Sequence, residues 1–572
     1  MNTRIVFRHA LRFTMMAFPS LLLATQIAAP PNSNRAPADP SIVKPVVDCQ
    51  TLSTADVSST VGAPTVVTSA SPVDDGSATA YCKLQVVIDN YAHLTLNLPL
   101  ANWTQRLLFG GGPGAQVSPG AMKLDQFVTA SWQDLGHRSD TDIFAHDYQA
   151  RVNAGYRGAH LQVLAAKALI KVFYGQAQKY AYYNACSEPG REGMMLVQRY
   201  PEDFDGVGAG CPPINFTINN GIFQGWNVMT NTGADGKPVL TEATLPILHR
   251  AVLEQCDAAD GVTDGIVSNP FACHPDLKRV ECKASQNPST CLTPAQIHVA
   301  EELYRGARDD QGGKLTPSGV LPGSELAWTA TIVPGSRNPT EAKDGTSTSI
   351  RSMYSDPALA ADWDLSQIKF DRATFDATTK LRYLYDATNP DLRGFARAGH
   401  KLILWQAMGD TNVLPAQAVL WYTAMRREMG AKQADKFVRF YELPGVYHCG
   451  GGDGPVITDL LPALMAWVER GVAPGALAGA HTPRPVRAPQ QGAGPPSATP
   501  MAPDLTRPIY PYPFTARYTG KGDIGDAANY VMGPAQPAPA TLSNWYGSDF
   551  YKAGFQKWCT GSSTGLQCKN DP

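Results

Sequence analysis

The segment YYNACSEPGREGMMLVQRYPEDFDGVGAG, Tyr182 to Gly210, sets Ser187 between Cys186 and Glu188, just ahead of an apolar, helix-patterned run. A serine before a helix is most often an N-cap, and a cap is indifferent to a neighbouring cysteine. Far downstream, FVRFYELPGVYHCGGGDGP places His448 directly before Cys449 in a glycine-rich loop that follows a strand-patterned stretch. Disulfide partners stand about 5.5–6 Å apart at Cα, so a Cys186–Cys449 bond would carry Ser187 and His448 within hydrogen-bonding reach. A serine hydroxyl becomes an effective nucleophile when a base takes its proton, and histidine suits that task near neutral pH. An orienting acid is available in HKLILWQAMGDTNVLP, where an apolar strand from Leu402 to Trp405 is followed by Asp410 on the turn past its end.

The chain order Ser187, Asp410, His448 is the order found in α/β-hydrolases. Around the serine the residues depart from G-x-S-x-G, with Ala185 and Pro189 at the flanking positions and Gly190 one step later. Ala185 is small enough for a strained elbow, and proline is favoured in the first turn of a helix. A helix from Gly190 through Arg199 would aim its N-terminus at Ser187 and favour negative charge developing there. Upstream, QRLLFGGGPGAQ reads as an apolar strand running into Gly110, Gly111, Gly112 and Gly114. No Gly-Lys-Ser/Thr ending follows, which argues against a nucleotide loop. An oxyanion loop fits better, with a backbone N–H from Gly112 or Gly111 joining that of Glu188; Pro113 has none to give.

These residues need a large scaffold, and a chain of 572 residues that is 43% hydrophobic and 17% charged can build one with several domains or a large insertion. A formal net charge of −2 offers no basic field to nucleic acid. Arg4, Arg8 and Arg12, then FTMMAFPSLLLA and small residues around TQIAAP, read as a signal peptide over residues 1–29. No later stretch approaches roughly 18 uninterrupted apolar residues, so a secreted or periplasmic protein without a membrane partner is expected. In such a compartment the eleven cysteines are expected to pair, and an odd count leaves at least one over.

Taken together, CSEPGRE, GVYHCGGGDGP with ALMAWVERGVAP after it, and DATNPDLRGFARAGHKLILWQAMGDTNVLP resemble the tannase and feruloyl esterase family of α/β-hydrolases, from about Cys49 to about Val531. That family also contains terephthalate monoester hydrolases. The resemblance implies an α/β fold, a doubly wound sheet with a large inserted lid domain. The catalytic domain is expected over 30–212 and 390–478, the lid over 213–389, and a Pro-rich arm with a C-terminal segment over 479–572. It implies a Ser187, Asp410, His448 triad, a Cys186–Cys449 disulfide, and a secreted serine esterase acting through an acyl-enzyme on small aromatic esters such as feruloyl or galloyl esters. Hydrolysis of a terephthalate monoester is an alternative within the family. Peptidase activity and an inactive, calcium-stabilised binding protein are the alternatives outside it. Within the lid, Trp328 is a candidate aromatic wall for a flat acyl group, and Arg337 or Arg351 is a candidate partner for a carboxylate or phenol.

CDAADGVTDGIVSNPFAC spaces Asp257, Asp260 and Asp264 around Gly261 and Gly265. Hard oxygen ligands on a tight loop suit calcium, in a spacing that is not an EF-hand. The resemblance implies one structural Ca2+ held by these three side chains and by the carbonyls of Val262 and Ile266. It also implies a staple from Cys256 to Cys273. Cys282 with Cys291, Cys49 with Cys82 and Cys559 with Cys568 complete five pairs and leave Cys211 as the free thiol. From Thr482 to Pro508 the chain is rich in Pro, Ala and Gly and reads as an extended arm. The aromatic end, SNWYGSDFYKAGFQKWCTGSSTGLQCKNDP, has no assigned counterpart.

Overall fold

The structure is a computed structural model that describes residues 40–74, 80–89, 92–110, 124–135, 143–333, 346–482, 503–537 and 539–570. The signal peptide expected over 1–29, the loop residues Gly111, Gly112 and Pro113, and Arg337 lie outside the described residues.

Nine strands form one sheet in the order β1 (Thr65–Val73), β2 (Tyr81–Ile88), β3 (Ala92–Pro99), β5 (Val128–Leu135), β4 (Arg106–Gly110), β6 (Tyr180–Cys186), β7 (Gly206–Gly210), β8 (Lys401–Ala407) and β9 (Val438–Leu443). The first three strands and β5 pair antiparallel, whereas β5 through β9 run parallel. Parallel strands are covered on both faces and therefore read as continuous apolar runs, as LILW in β8 does. Successive residues point to opposite faces. Leu107, Phe109, Tyr183, Ala185, Leu402 and Leu404 pack with α1 (Gly158–Tyr174), α2 (Glu188–Arg199) and α5 (Ala416–Met429). Leu108, Tyr182, Ile403 and Trp405 pack on the other side with α6 (Leu460–Arg470). Helices on both faces of a mostly parallel sheet make the doubly wound α/β architecture expected from the sequence.

Between β7 and β8, residues 211–400 hold α3 (Leu245–Cys256), α4 (Pro294–Arg305) and many short turns. Leu248, Leu292, Ile297, Leu303 and Trp328 form an apolar cluster there, which Leu414 and Ala416 close from the catalytic side. Trp328 is 0% exposed and its indole N–H donates to Ser324 Oγ at 3.0 Å. The expectation that it walls a substrate pocket is therefore corrected: burial of its large apolar surface, with its polar tip satisfied, makes it part of the core.

A further correction concerns the last part of the chain. Leu505–Ile509 is a strand, β12, paired antiparallel with β11 (Leu477–His481), so the extended arm read over Thr482–Pro508 ends before Leu505. β10 (Val456–Ile457) completes that small sheet, and a hairpin of β13 (Phe514–Tyr518) and β14 (Tyr530–Ala535) follows it. The aromatic tail packs back on the catalytic core. Tyr551 donates to Asn215 Oδ1 at 2.6 Å, and the hairpin of β15 (Trp558–Ser562) and β16 (Gly565–Lys569) anchors through the Cys559 N–H on the Tyr156 hydroxyl at 2.7 Å.

Candidate active site

Ser187 follows the last residue of β6 and precedes the first of α2, with φ 71° and ψ −138°. A non-glycine residue with positive φ is strained and persists where its surroundings hold it. The Ser187 N–H donates to Gly210 O at 2.9 Å, and its carbonyl accepts the first helical bond from Arg191 N–H at 3.0 Å. The departure from the usual elbow glycine is resolved one residue later. A Cβ on Gly190 would stand 2.4 Å from Gly210 O, so glycine at this position is what lets α2 lie against β7. α2 begins at Glu188, two residues ahead of the Gly190 start read from the sequence.

His448 Nε2 stands 2.8 Å from Ser187 Oγ, and its Nδ1 stands 2.7 Å from Asp410 Oδ2. Asp410 is 0% exposed and lies on the turn after β8. Its other oxygen, Oδ1, accepts the N–H groups of Asn412 and Val413, each at 2.9 Å. One carboxylate oxygen is thus pinned by its own turn, which leaves the second for the imidazole. This network assigns the proton of neutral His448 to Nδ1 and makes Nε2 the acceptor for the serine hydroxyl. Burial pulls the His448 pKa down, but the Asp410 charge and hydrogen bond outweigh it and hold it above the ordinary histidine value. Such a chain can activate a hydroxyl for acyl transfer.

Cys186 and Cys449 are bonded, with Cα atoms 5.9 Å apart, directly beside the serine and the histidine. The histidine loop needs its glycines: a Cβ on Gly452, where φ is 80°, would meet Gly445 O at 2.2 Å. The other four bonds join Cys49–Cys82, Cys256–Cys273, Cys282–Cys291 and Cys559–Cys568, leaving Cys211 free and buried. Glu188 is the first residue of α2, so its N–H has no partner within the helix. The Ser349–Tyr354 turn belongs to the insertion, and its Tyr354 feels the charge of Glu188, the residue after the nucleophile. Burial raises the Tyr354 phenol pKa, and the Glu188 charge adds to the rise. Arg351 belongs to this same turn.

Sequence reading missed two residues here. Cys211, taken as a spare thiol, lies directly after β7, whose Gly210 pairs with Cys186. Its sulfur and ligand atoms of Asp410 and His448 all lie within 4.8 Å of one another. That register across two parallel strands was the only signal. Arg191 is 0% exposed and donates to the carbonyls of Ala154, Gly155 and Tyr385, tying α2 to the residues around it. Nothing in its local sequence separates it from a surface arginine.

In the acidic loop, Asp257 is 4% exposed and its carboxylate accepts the N–H groups of Asp264 and Gly265 at 3.1 and 3.0 Å. Asp260 accepts from Val262 N–H at 3.1 Å and from the Ser268 hydroxyl. Asp264 accepts from Ile266 N–H at 3.1 Å and pairs with Arg507 at 2.8 Å. The three carboxylates do not converge on one point in this conformation. Among the described residues the only His/Cys/Asp/Glu triplet with ligand atoms within 4.8 Å of one another is Cys211, Asp410 and His448. The donor set nevertheless has the chemistry of a hard-cation site, with oxygen donors only and three carboxylates against one paired cation, Arg507.

Residues 85–532 match the tannase and feruloyl esterase family. The chain is 30% identical over 484 residues to the probable feruloyl esterase B-1 of Aspergillus flavus, spanning 77% of this chain and 84% of that protein. It is 28% identical over 513 residues to the mono(2-hydroxyethyl) terephthalate hydrolase of Piscinibacter sakaiensis, spanning 78% and 82%. Among solved structures, feruloyl esterase B from Aspergillus oryzae superposes with a TM-score of 0.69 at 25% identity, covering 82% of this chain and 97% of that one. The chain belongs to the tannase and feruloyl esterase family and is a carboxylic ester hydrolase built on the α/β-hydrolase fold.

Proposed function

We propose that this protein is an exported serine esterase that cleaves feruloyl- or galloyl-type esters through an acyl-enzyme. The observation that carries the mechanism is the unbroken chain from Ser187 Oγ through His448 to Asp410, at 2.8 and 2.7 Å. Ser187 attacks the ester carbonyl while His448 Nε2 takes its proton. The tetrahedral oxyanion is received by the Glu188 N–H at the positive end of α2, with the Gly112 N–H as its proposed second donor. His448 then gives the proton to the departing alkoxide. A water, deprotonated by the same nitrogen, attacks the acyl-enzyme and releases the acid and Ser187.

The phenolic-ester reading is supported by relatives named feruloyl esterase, and the terephthalate alternative by one named mono(2-hydroxyethyl) terephthalate hydrolase. Purified protein assayed with methyl ferulate, methyl gallate and mono(2-hydroxyethyl) terephthalate should show its highest kcat/KM on a phenolic ester. Preference for the terephthalate ester would favour the second reading and give Arg351 a role at the free carboxylate. No hydrolysis of any of them would sink both. Export is supported by the leader-like N-terminus and five disulfides. No helix among the described residues is long and apolar enough to cross a membrane.

A structural calcium ion is proposed at Asp257, Asp260 and Asp264, with the Val262 and Ile266 carbonyls. It would neutralise the carboxylates that Arg507 leaves unpaired and hold the loop that Cys256–Cys273 brackets. An ion bound only to the folded state adds about 2.7 kcal/mol at a hundred times its Kd. Excess chelator is therefore expected to lower the Tm by several degrees, restored by calcium, and Asp260→Asn to abolish the response. An unchanged melting curve with no calcium by elemental analysis would remove the ion from this account.

A further inference from the structure

We propose that Cys211, Asp410 and His448 form a binding site for a borderline divalent metal, zinc in particular, and that its occupancy switches the esterase off. The inhibitory part rests on the triad reading above; the binding part does not. Thiolate, carboxylate and imidazole are the donors zinc prefers, and here one atom from each lies within 4.8 Å of the other two. Around a tetrahedral zinc such atoms stand roughly 3.3–3.7 Å apart. Asp410 Oδ2 and His448 Nδ1, at 2.7 Å, must therefore part slightly while the sulfur closes by at most about 1.5 Å.

The ligands are held from behind, as those of a metal centre are. Asp410 Oδ1 is fixed by the Asn412 and Val413 N–H groups, which leaves Oδ2 to turn to the ion. The Ala407 N–H donates to Cys211 Sγ at 3.4 Å, a contact that strengthens when the sulfur is a thiolate. Cys211 and Asp410 are 0% exposed, and burial raises the free thiol's pKa, so an uncompensated thiolate is disfavoured here. Zn2+ with one thiolate and one carboxylate is neutral and removes that penalty. His448, with 20% of its side chain exposed, gives the side from which an ion arrives, and water can fill the fourth position.

The proton changes explain inhibition. The thiol proton of Cys211 leaves to solvent. A metal on Nδ1 sends the imidazole proton to Nε2, which then has no lone pair for the Ser187 proton. The Asp410–His448 hydrogen bond is lost in the same event. Calcium prefers all-oxygen sites and does not compete.

Zinc chloride titrated into the wild-type enzyme in calcium buffer is expected to reduce ester turnover at least 10-fold, saturably and reversibly. Cobalt(II) supplies a readout apart from activity, a thiolate-to-metal charge-transfer band. Five disulfides take ten of the eleven cysteines, so such a band reports Cys211. In Cys211→Ala the band should vanish and half-inhibition should need at least 10-fold more zinc; Cys211→Val serves if the alanine variant does not fold. Wild-type protein without a cobalt band overturns the site, with or without either variant. A variant inhibited at the wild-type zinc concentration overturns the assignment to Cys211. A band without inhibition overturns the switch and counts against the triad rather than the site.

Discussion

Ser187→Ala is expected to lower kcat on a p-nitrophenyl ester by about 10⁴- to 10⁶-fold, the range seen when one member of a serine triad is removed. The fold should survive. The backbone bonds that hold the elbow, Ser187 N–H to Gly210 O and Arg191 N–H to Ser187 O, do not involve the hydroxyl. Alanine also tolerates the same φ of 71° about as well as serine does. Asp410→Asn should come close in effect, at about 10⁴-fold, for a different reason. With Oδ1 tied to two N–H groups, an asparagine would present its NH2 to His448 and favour the tautomer with the proton on Nε2, facing Ser187. A Ser187→Ala protein with wild-type circular dichroism and wild-type turnover would end the serine mechanism.

Triad order and fold class were legible because each rests on local pattern. β8 is a run of apolar residues buried on both faces, and a turn aspartate past the C-terminal end of such a strand lies where parallel sheets place their sites. The cysteines beside Ser187 and His448 carried the long-range information, since a bond between them closes 263 residues of separation in one step. Trp328 was not legible, because core and pocket tryptophans look alike without their neighbours. Cys211 was hidden for a related reason. Its partners are 199 and 237 positions away and meet it only through the register of β7 between β6 and β8. The Leu505–Ile509 strand was masked by the Pro-rich composition preceding it, yet its own alternation, with Arg507 and Ile509 buried, suits a paired strand.

Removing the Cys186–Cys449 bond is expected to cost about 100-fold in kcat, while removing Cys282–Cys291 should leave kcat within about 3-fold of wild type, because displacing reacting groups by about 1 Å has costs of the first order. Both bonds constrain the unfolded chain. By loop length the first contributes about 5–6 kcal/mol and the second, with a separation of 9, about 2.5 kcal/mol. Stability alone therefore does not distinguish a catalytic from a structural bond, and turnover must be measured well below each variant's Tm. The distinction lies in what each bond touches. Cys282–Cys291 closes a short surface loop of the insertion. Cys186 immediately precedes a serine held at φ 71°, and Cys449 immediately follows the histidine at a φ of 58° of its own. Cutting the bond leaves the serine held by its backbone partners but frees the Cys449 side to shift relative to Cys186, and the 2.8 Å contact from Ser187 to His448 spans that gap. A Cys186→Ala, Cys449→Ala protein that folds with kcat near wild type would show that the sheet and the glycine loop align the two residues unaided. Recovery of both cysteines as free thiols from active native enzyme would lead to the same conclusion.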